Sequence, residues 1–170
     1  MKTSCTLITA TKPPYVTKEF SLNADGSLDK KTIAHVSAGK MEVIEFDDLK
    51  GFSEVLVNLK ANQCLTYGIP PHTPVQLVTE NTWIKAGRPK DKLPRTLNTM
   101  NWASGCGILM LDYDAPKNGD KPLTCEEIIA ALNNSNTNIA CIDHLWWPST
   151  SSCIWYGDKE ICRILFLEFL

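Results

Sequence analysis

Residues 105–116 read GCGILMLDYDAP. Two glycines flank Cys106 and release an apolar run, Ile108 to Leu111, which ends in Asp112, Tyr113 and Asp114. A short apolar run bounded by turn residues reads as a buried strand. Side chains alternate along a strand, so Asp112 and Asp114 are expected on one face and Leu109, Leu111 and Tyr113 on the other. The two aspartate Cα atoms would lie roughly 7 Å apart, near enough for the carboxylate tips to converge. Like charges that close need a proton or a cation between them. Oxygen ligands on a rigid strand suit a hard cation, Mg²⁺ or Mn²⁺. The plainer reading of the pair is a strand end entering a turn, where aspartate is common.

Immediately upstream, residues 83–95 (WIKAGRPKDKLPR) carry Lys85, Arg88, Lys90, Lys92 and Arg95 against the single acid Asp91. Gly87, Pro89 and Pro94 predict a loop rather than a helix. It is either a solvated surface loop or a phosphate-contacting one, with Trp83 available to stack on a base. Its place just before the acidic strand favours the second reading, because phosphates and catalytic metals have to meet. Downstream, Thr124-Cys125-Glu126-Glu127 fits a capping box. It opens a helix to about Leu132 that buries Ile128, Ile129 and Leu132, with Asn133, Asn134 and Asn136 ending it. Residues 139–147 (IACIDHLWW) read as a strand, Pro148 to Ser152 as a hydroxyl-rich turn, and Cys153 to Tyr156 as another strand. Gly157-Asp158 reads as a hairpin turn, and the last ten residues, ICRILFLEFL, are strongly apolar.

The front of the chain is plainer. Residues 4–10 form an opening strand stopped by Pro13 and Pro14. Residues 20–31 are polar with a turn at Asp25-Gly26, and strands are expected at 32–37 and 41–46. His35 reads as a satisfied histidine on a half-buried strand. Asp47 is expected to cap a helix over 47–60, whose apolar face is Leu49, Phe52, Leu56 and Leu59. Strands at 63–67 and 75–79 flank the break at Gly68-Ile69-Pro70-Pro71.

The whole chain has 170 residues, 44% of them hydrophobic and 21% charged, with a net charge of -2. That suits one globular domain over 1–170, and any basic surface must be local. The seven cysteines show no metal-ligand spacing and read as free, buried thiols in a reducing cytoplasm. No signal-peptide core and no stretch of ~18 apolar residues is present, so no membrane partner is expected. The expected fold class is α+β: helices packed on a mixed sheet, with an N-terminal αβ lobe and an incomplete sheet-based catalytic lobe.

A basic loop, a carboxylate pair and a hydroxyl-rich turn in succession are parts used in two-metal phosphoryl transfer, where carboxylates hold ions about 3.5–4 Å apart. The order YGIPP (67–71), Pro94-Arg95-Thr96, GILMLDYDAP (107–116) and WWPSTSS (146–152) resembles the archaeo-eukaryotic primase superfamily. It is most similar to the primase-polymerase domains at the N-termini of replication proteins of phages, plasmids and integrated mobile elements. The resemblance covers roughly residues 60–157. It implies that Asp112 and Asp114 are the catalytic residues and hold Mg²⁺ or Mn²⁺. Ser149, Ser151 and Ser152 would contact the phosphates of an incoming nucleotide, and Arg95 and Lys92 are further candidates for phosphate contacts. The implied reaction is metal-dependent addition of nucleoside triphosphates on a DNA template, with a helicase domain or protein as a further partner. Two family features have no match: a histidine after the serine turn, since His144 precedes it, and a third carboxylate, for which nothing singles out Asp158, Glu160 or Glu168. Only 18 residues follow Ser152, which implies the front portion of such a domain, truncated or naturally shortened.

Two other readings stay open. An apolar strand ending Asp-x-Asp also resembles the haloacid-dehalogenase-type phosphatases, with Asp112 as nucleophile and Asp114 as general acid/base. In that family the motif lies near the N-terminus and is followed by threonine or valine, whereas Ala115-Pro116 follow here. The third reading is a non-catalytic, nucleic-acid-binding remnant.

Overall fold

Strand β1 (Thr3–Lys12) organises the first half of the chain. It lies antiparallel between β4 (Ala38–Phe46) and β5 (Gln63–Thr66). β4 pairs antiparallel with β6 (Val75–Val78), and β6 pairs parallel with β7 (Lys92–Leu93). The result is a five-stranded mixed sheet in the order β5-β1-β4-β6-β7. Ile8 and Met41 face each other across β1 and β4, both fully buried. They form one cluster with Val75, Leu77, Leu93 and Met100, against which Val36, Cys64 and Trp83 pack. Helix α1 (Leu49–Val57) buries Leu49, Phe52 and Leu56, and Phe52 meets Phe46 with ring centroids 5.0 Å apart.

These coordinates are a computed structural model and describe residues 2–33, 35–103, 105, 107–113, 123–135, 143–148, 155–156, 159–160 and 163–169. The chain divides into two units, Met1–Cys106 and Gly107–Leu170. In the second, β8 (Gly107–Tyr113) and β9 (His144–Pro148) flank β12 (Arg163–Phe169), both antiparallel to it. Helix α3 (Cys125–Ser135) buries Ile128 against Leu111, Tyr113, Ile129, Leu132 and Trp146. Its start is the expected capping box: the Glu127 amide donates to Thr124 Oγ1 at 3.2 Å, and the Thr124 amide to Glu127 Oε2 at 2.7 Å. The small strands β10 (Trp155–Tyr156) and β11 (Lys159–Glu160) pair antiparallel with Tyr156 opposite Lys159, and the hairpin turn expected at Gly157-Asp158 lies outside the described residues.

The α+β class holds: a mixed sheet with a few helices. Several local expectations give way. Residues 17–33 form a hairpin of β2 (Thr17–Leu22) and β3 (Leu28–Ile33), and residues 35–37 carry no strand. The sequences TKEFSL and LDKKTI are mostly polar, so neither strand is announced by alternating hydrophobicity. The turn sits where Asp25-Gly26 marks it. The Asp25 carboxylate accepts from the Ser27 hydroxyl and amide, which holds its pKa below the usual range. His35 is exposed and outside any strand, so it is not a half-buried strand histidine. The cap of α1 is Asp48, whose Oδ1 accepts from the Gly51 amide at 2.7 Å, rather than Asp47. Helix α3 continues through Asn133 and Asn134 to Ser135, past the predicted stop. Among the described residues, no helix is long and apolar enough to cross a membrane.

Candidate functional site

The backbone of Asp112 lies in β8, opposite Ile164 of β12. Its neighbours Leu111 and Tyr113 pack towards Ile128, as the strand alternation requires. The Asp112 side chain, all of Asp114, and Ser149, Ser151 and Ser152 lie outside the described residues. Among the described residues, no three His, Cys, Asp or Glu come together as a metal site. The donor chemistry of the Asp112/Asp114 pair, carboxylate oxygens at alternate positions, fits a hard divalent cation.

The basic segment departs from the loop expected of it. Glu80–Lys85 form a short helix, α2, capped by Thr79, whose Oγ1 accepts from the Thr82 amide at 3.3 Å. The capping signal lies upstream of the stretch that reads as a loop. Trp83 is partly buried rather than free at the surface. Its ring packs on the sheet core, its Nε1 donates to the Pro89 carbonyl at 3.0 Å, and the Arg88 guanidinium lies 5.7 Å from its centroid. Lys92 sits in β7 opposite Gln76, while its neighbour Leu93 enters the core. Arg95 is exposed.

Arg95 opens onto a cleft of about 380 Å³ that it shares with Thr66, Tyr67, Gly68, Thr96, Asn101 and Trp102; Lys92 does not line it. Pro94 is fully buried and anchors one wall. The Thr99 hydroxyl donates back to the Pro94 carbonyl, and the Met100 amide donates to the Thr96 carbonyl at 3.1 Å, closing a tight turn after Arg95. A two-residue bridge ties this turn to the opposite wall. The Ile69 amide donates to the Asn101 carbonyl at 2.7 Å, and the Asn101 amide to the Ile69 carbonyl at 2.9 Å. Thr6 Oγ1 of β1 donates to the Gly68 carbonyl at 2.6 Å. The walls approach closely at Gly68, where a Cβ would fall 3.0 Å from Met100 Cβ. The segments Tyr67-Gly68 and Arg95-Thr96, separated by 26 residues between Gly68 and Arg95, thus form one site.

At the mouth of this cleft, Trp102 is 77% exposed, with its ring stacked on Tyr67 at a centroid distance of 6.4 Å and an interplanar angle of 30°. Among the described residues, Arg95 makes no ion pair. Burial raises the pKa of the Cys64 thiol, and the Arg95 charge partly offsets that rise. Residues 1–106 carry 13 Lys and Arg against 10 Asp and Glu, whereas residues 107–170 carry 4 against 9. The slight acidity of the chain therefore hides a basic first half.

Sequence reasoning picked out Arg95 but missed Trp102 as a surface aromatic. The available signal was weak: Trp102 sits in the mostly polar run NTMNWAS (98–104), but Met100 two residues before it is a core residue. No family model, no curated protein and no solved structure matches this chain.

Proposed function

We propose that the chain is a nucleotidyltransferase domain of primase-polymerase type, adding nucleotides to a nucleic-acid strand in a metal-dependent reaction. The observation that carries this reading is the Arg95 cleft. Two of the segments on which the resemblance rests, YGIPP and Pro94-Arg95-Thr96, contribute Tyr67, Gly68, Arg95 and Thr96 to one site. An exposed arginine beside stacked aromatic rings is chemistry suited to phosphates and bases. A second support is β8, an apolar strand that carries Asp112 and leads directly into Asp114.

In this reading Asp112 and Asp114 hold Mg²⁺ or Mn²⁺. A divalent ion bound there would supply Lewis acidity at a phosphoryl oxygen. The chain's other residues bind and orient. Arg95 offers a planar fork to a phosphate, Lys92 a point charge, and Ser149, Ser151 and Ser152 hydroxyl donors.

The test is extension of a primed template by the full chain with Mn²⁺ and labelled nucleoside triphosphates. Incorporation is expected, and it is lost in the Asp112→Ala, Asp114→Ala double variant. Incorporation that survives the double substitution removes the carboxylate assignment. Strand binding by the wild type with no incorporation replaces the enzyme by a non-catalytic nucleic-acid-binding module. Release of phosphate from small phosphomonoesters without incorporation moves the protein to the phosphatase reading.

A further inference from the structure

We propose that the exposed face of Trp102 is a stacking platform for one unpaired base of a single nucleic-acid strand, whose adjoining phosphate is held by Arg95. The proposal rests on the cleft alone and needs neither the carboxylate pair nor a metal. It adds to the nucleotidyltransferase reading the position at which a strand is gripped.

Three observations carry it. First, the platform is pre-organised. Trp102 follows Asn101, which is pinned to Ile69 by the paired hydrogen bonds, and its ring is backed by Tyr67. An indole that is 77% exposed, on a backbone pinned at the preceding residue and backed by Tyr67, presents a π face at reduced ordering cost. Second, Arg95 lines the same cleft, is exposed, and among the described residues has no carboxylate partner. Its guanidinium is thus available to a phosphate oxygen. The rest of the lining is uncharged, with Leu97 and Met100 beside the polar Thr66, Thr96 and Asn101, so nothing in the wall repels an anion.

Third, the charge pattern favours a strand over a free nucleotide. The segment that leads in sequence to Arg95 carries Lys85, Arg88, Lys90 and Lys92, with Asp91 the one acid among residues 81–111. A run of positive charge longer than one nucleotide suits a polyanion, because each neutralised phosphate releases counterions. A protein partner would also find Trp and Arg attractive, but it has no need of so lopsided a basic approach.

The test is fluorescence anisotropy of a labelled oligothymidylate titrated with the full chain in the absence of divalent metal. Trp102→Ala is expected to weaken binding by at least about five-fold, the low end for losing one base stack. Trp102→Phe keeps most of the affinity. A strand of the same length with abasic sugars carries the same phosphates, and it should bind the wild type about as weakly as oligothymidylate binds Trp102→Ala. Arg95→Ala is expected to lower the slope of log K against log salt by about 0.7, the value for one phosphate contact on a single strand, and Arg95→Lys to keep that slope. Trp102 is exposed, so the thermal melts of these variants should overlay that of the wild type.

The proposal is overturned if Trp102→Ala binds like the wild type, or if abasic and thymidine strands bind alike. It is equally overturned if thymidine monophosphate competes as well as the strand, which would make the occupant a free nucleotide. Asp112→Asn and Asp114→Asn should leave this binding intact. A chain that grips strands as described but never incorporates a nucleotide therefore loses its catalytic reading and keeps this site. A chain that incorporates nucleotides but ignores Trp102→Ala does the reverse.

Discussion

Replacing Gly39 by alanine puts the close approach of β1 and β4 under direct test. A methyl group on Gly39 would fall 2.5 Å from the Thr9 carbonyl oxygen and 3.1 Å from the Ala10 Cα. Carbon and oxygen in this setting sit at about 3.3–3.6 Å, so β1 and β4 must part locally by the better part of an ångström. No side chain can rotate to relieve the contact, because the obstructing atoms are backbone. Gly39 lies opposite Ala10, beside the register shift between Ala10 and Lys12, and two residues from the buried Ile8–Met41 pair. Overpacking of this kind costs about 1–3 kcal/mol, and a weakened ladder hydrogen bond adds about 1 kcal/mol. Alanine recovers about 0.4–1 kcal/mol by restricting the unfolded chain. The net expectation is a loss of about 1–3 kcal/mol. Urea unfolding followed by circular dichroism should show a lower midpoint with an unchanged slope. Gly107→Ala is the matched control, since a Cβ there meets nothing within 4 Å. If both variants unfold at the same midpoint as the wild type, the close approach of β1 and β4 is refuted.

Two further outcomes concern stability. Asp48→Ala should destabilise the first unit by about 1 kcal/mol, the usual worth of an N-cap, while Asp47→Ala should not; equal midpoints in urea for the two variants would show that the cap is misassigned. Burial raises the Cys5 thiol from its ordinary value of 9.0 to about 12. The unfolded thiol therefore ionises first, so this contribution to stability is full below pH 9 and declines as pH rises towards about 12. Cys5→Ala should flatten that alkaline decline relative to the wild type when urea midpoints are compared below and above pH 9.

What the sequence made legible was set by whether each signal is local. The capping box at Thr124 and Glu127 is local, and its two hydrogen bonds form as read. Strand β8 announces itself by an apolar run between a glycine and an acidic end, β1 by the prolines that stop it, and β4 by the alternation over 41–46. Asp47 and Asp48 are equally good caps on composition, and only the backbone geometry chooses Asp48. Trp83 shows the opposite limit. Among lysines and prolines it reads as a surface aromatic, but strand β7 carries Leu93 back into the core and the Trp83 ring covers the same cluster. The Arg95 cleft was hidden for a related reason. It depends on a bridge between Ile69 and Asn101, 32 residues apart, and no local signal pairs the two.

The division of charge between the two halves makes the two functional proposals separable. With 13 basic against 10 acidic residues, the first half attracts a polyanion without help, and its exposed arginine and tryptophan bring specific chemistry to that attraction. With 4 basic against 9 acidic residues, the second half repels one. A carboxylate pair in that half can work on a phosphate only once a cation has reversed the local sign, which is the reason to expect Mg²⁺ or Mn²⁺ there and not at the cleft. Strand binding should therefore persist in chelator and fall with added salt, whereas incorporation should vanish in chelator and return with the divalent ion. Strand binding that itself requires the divalent ion would mean that the acidic half, rather than the Arg95 cleft, holds the phosphates.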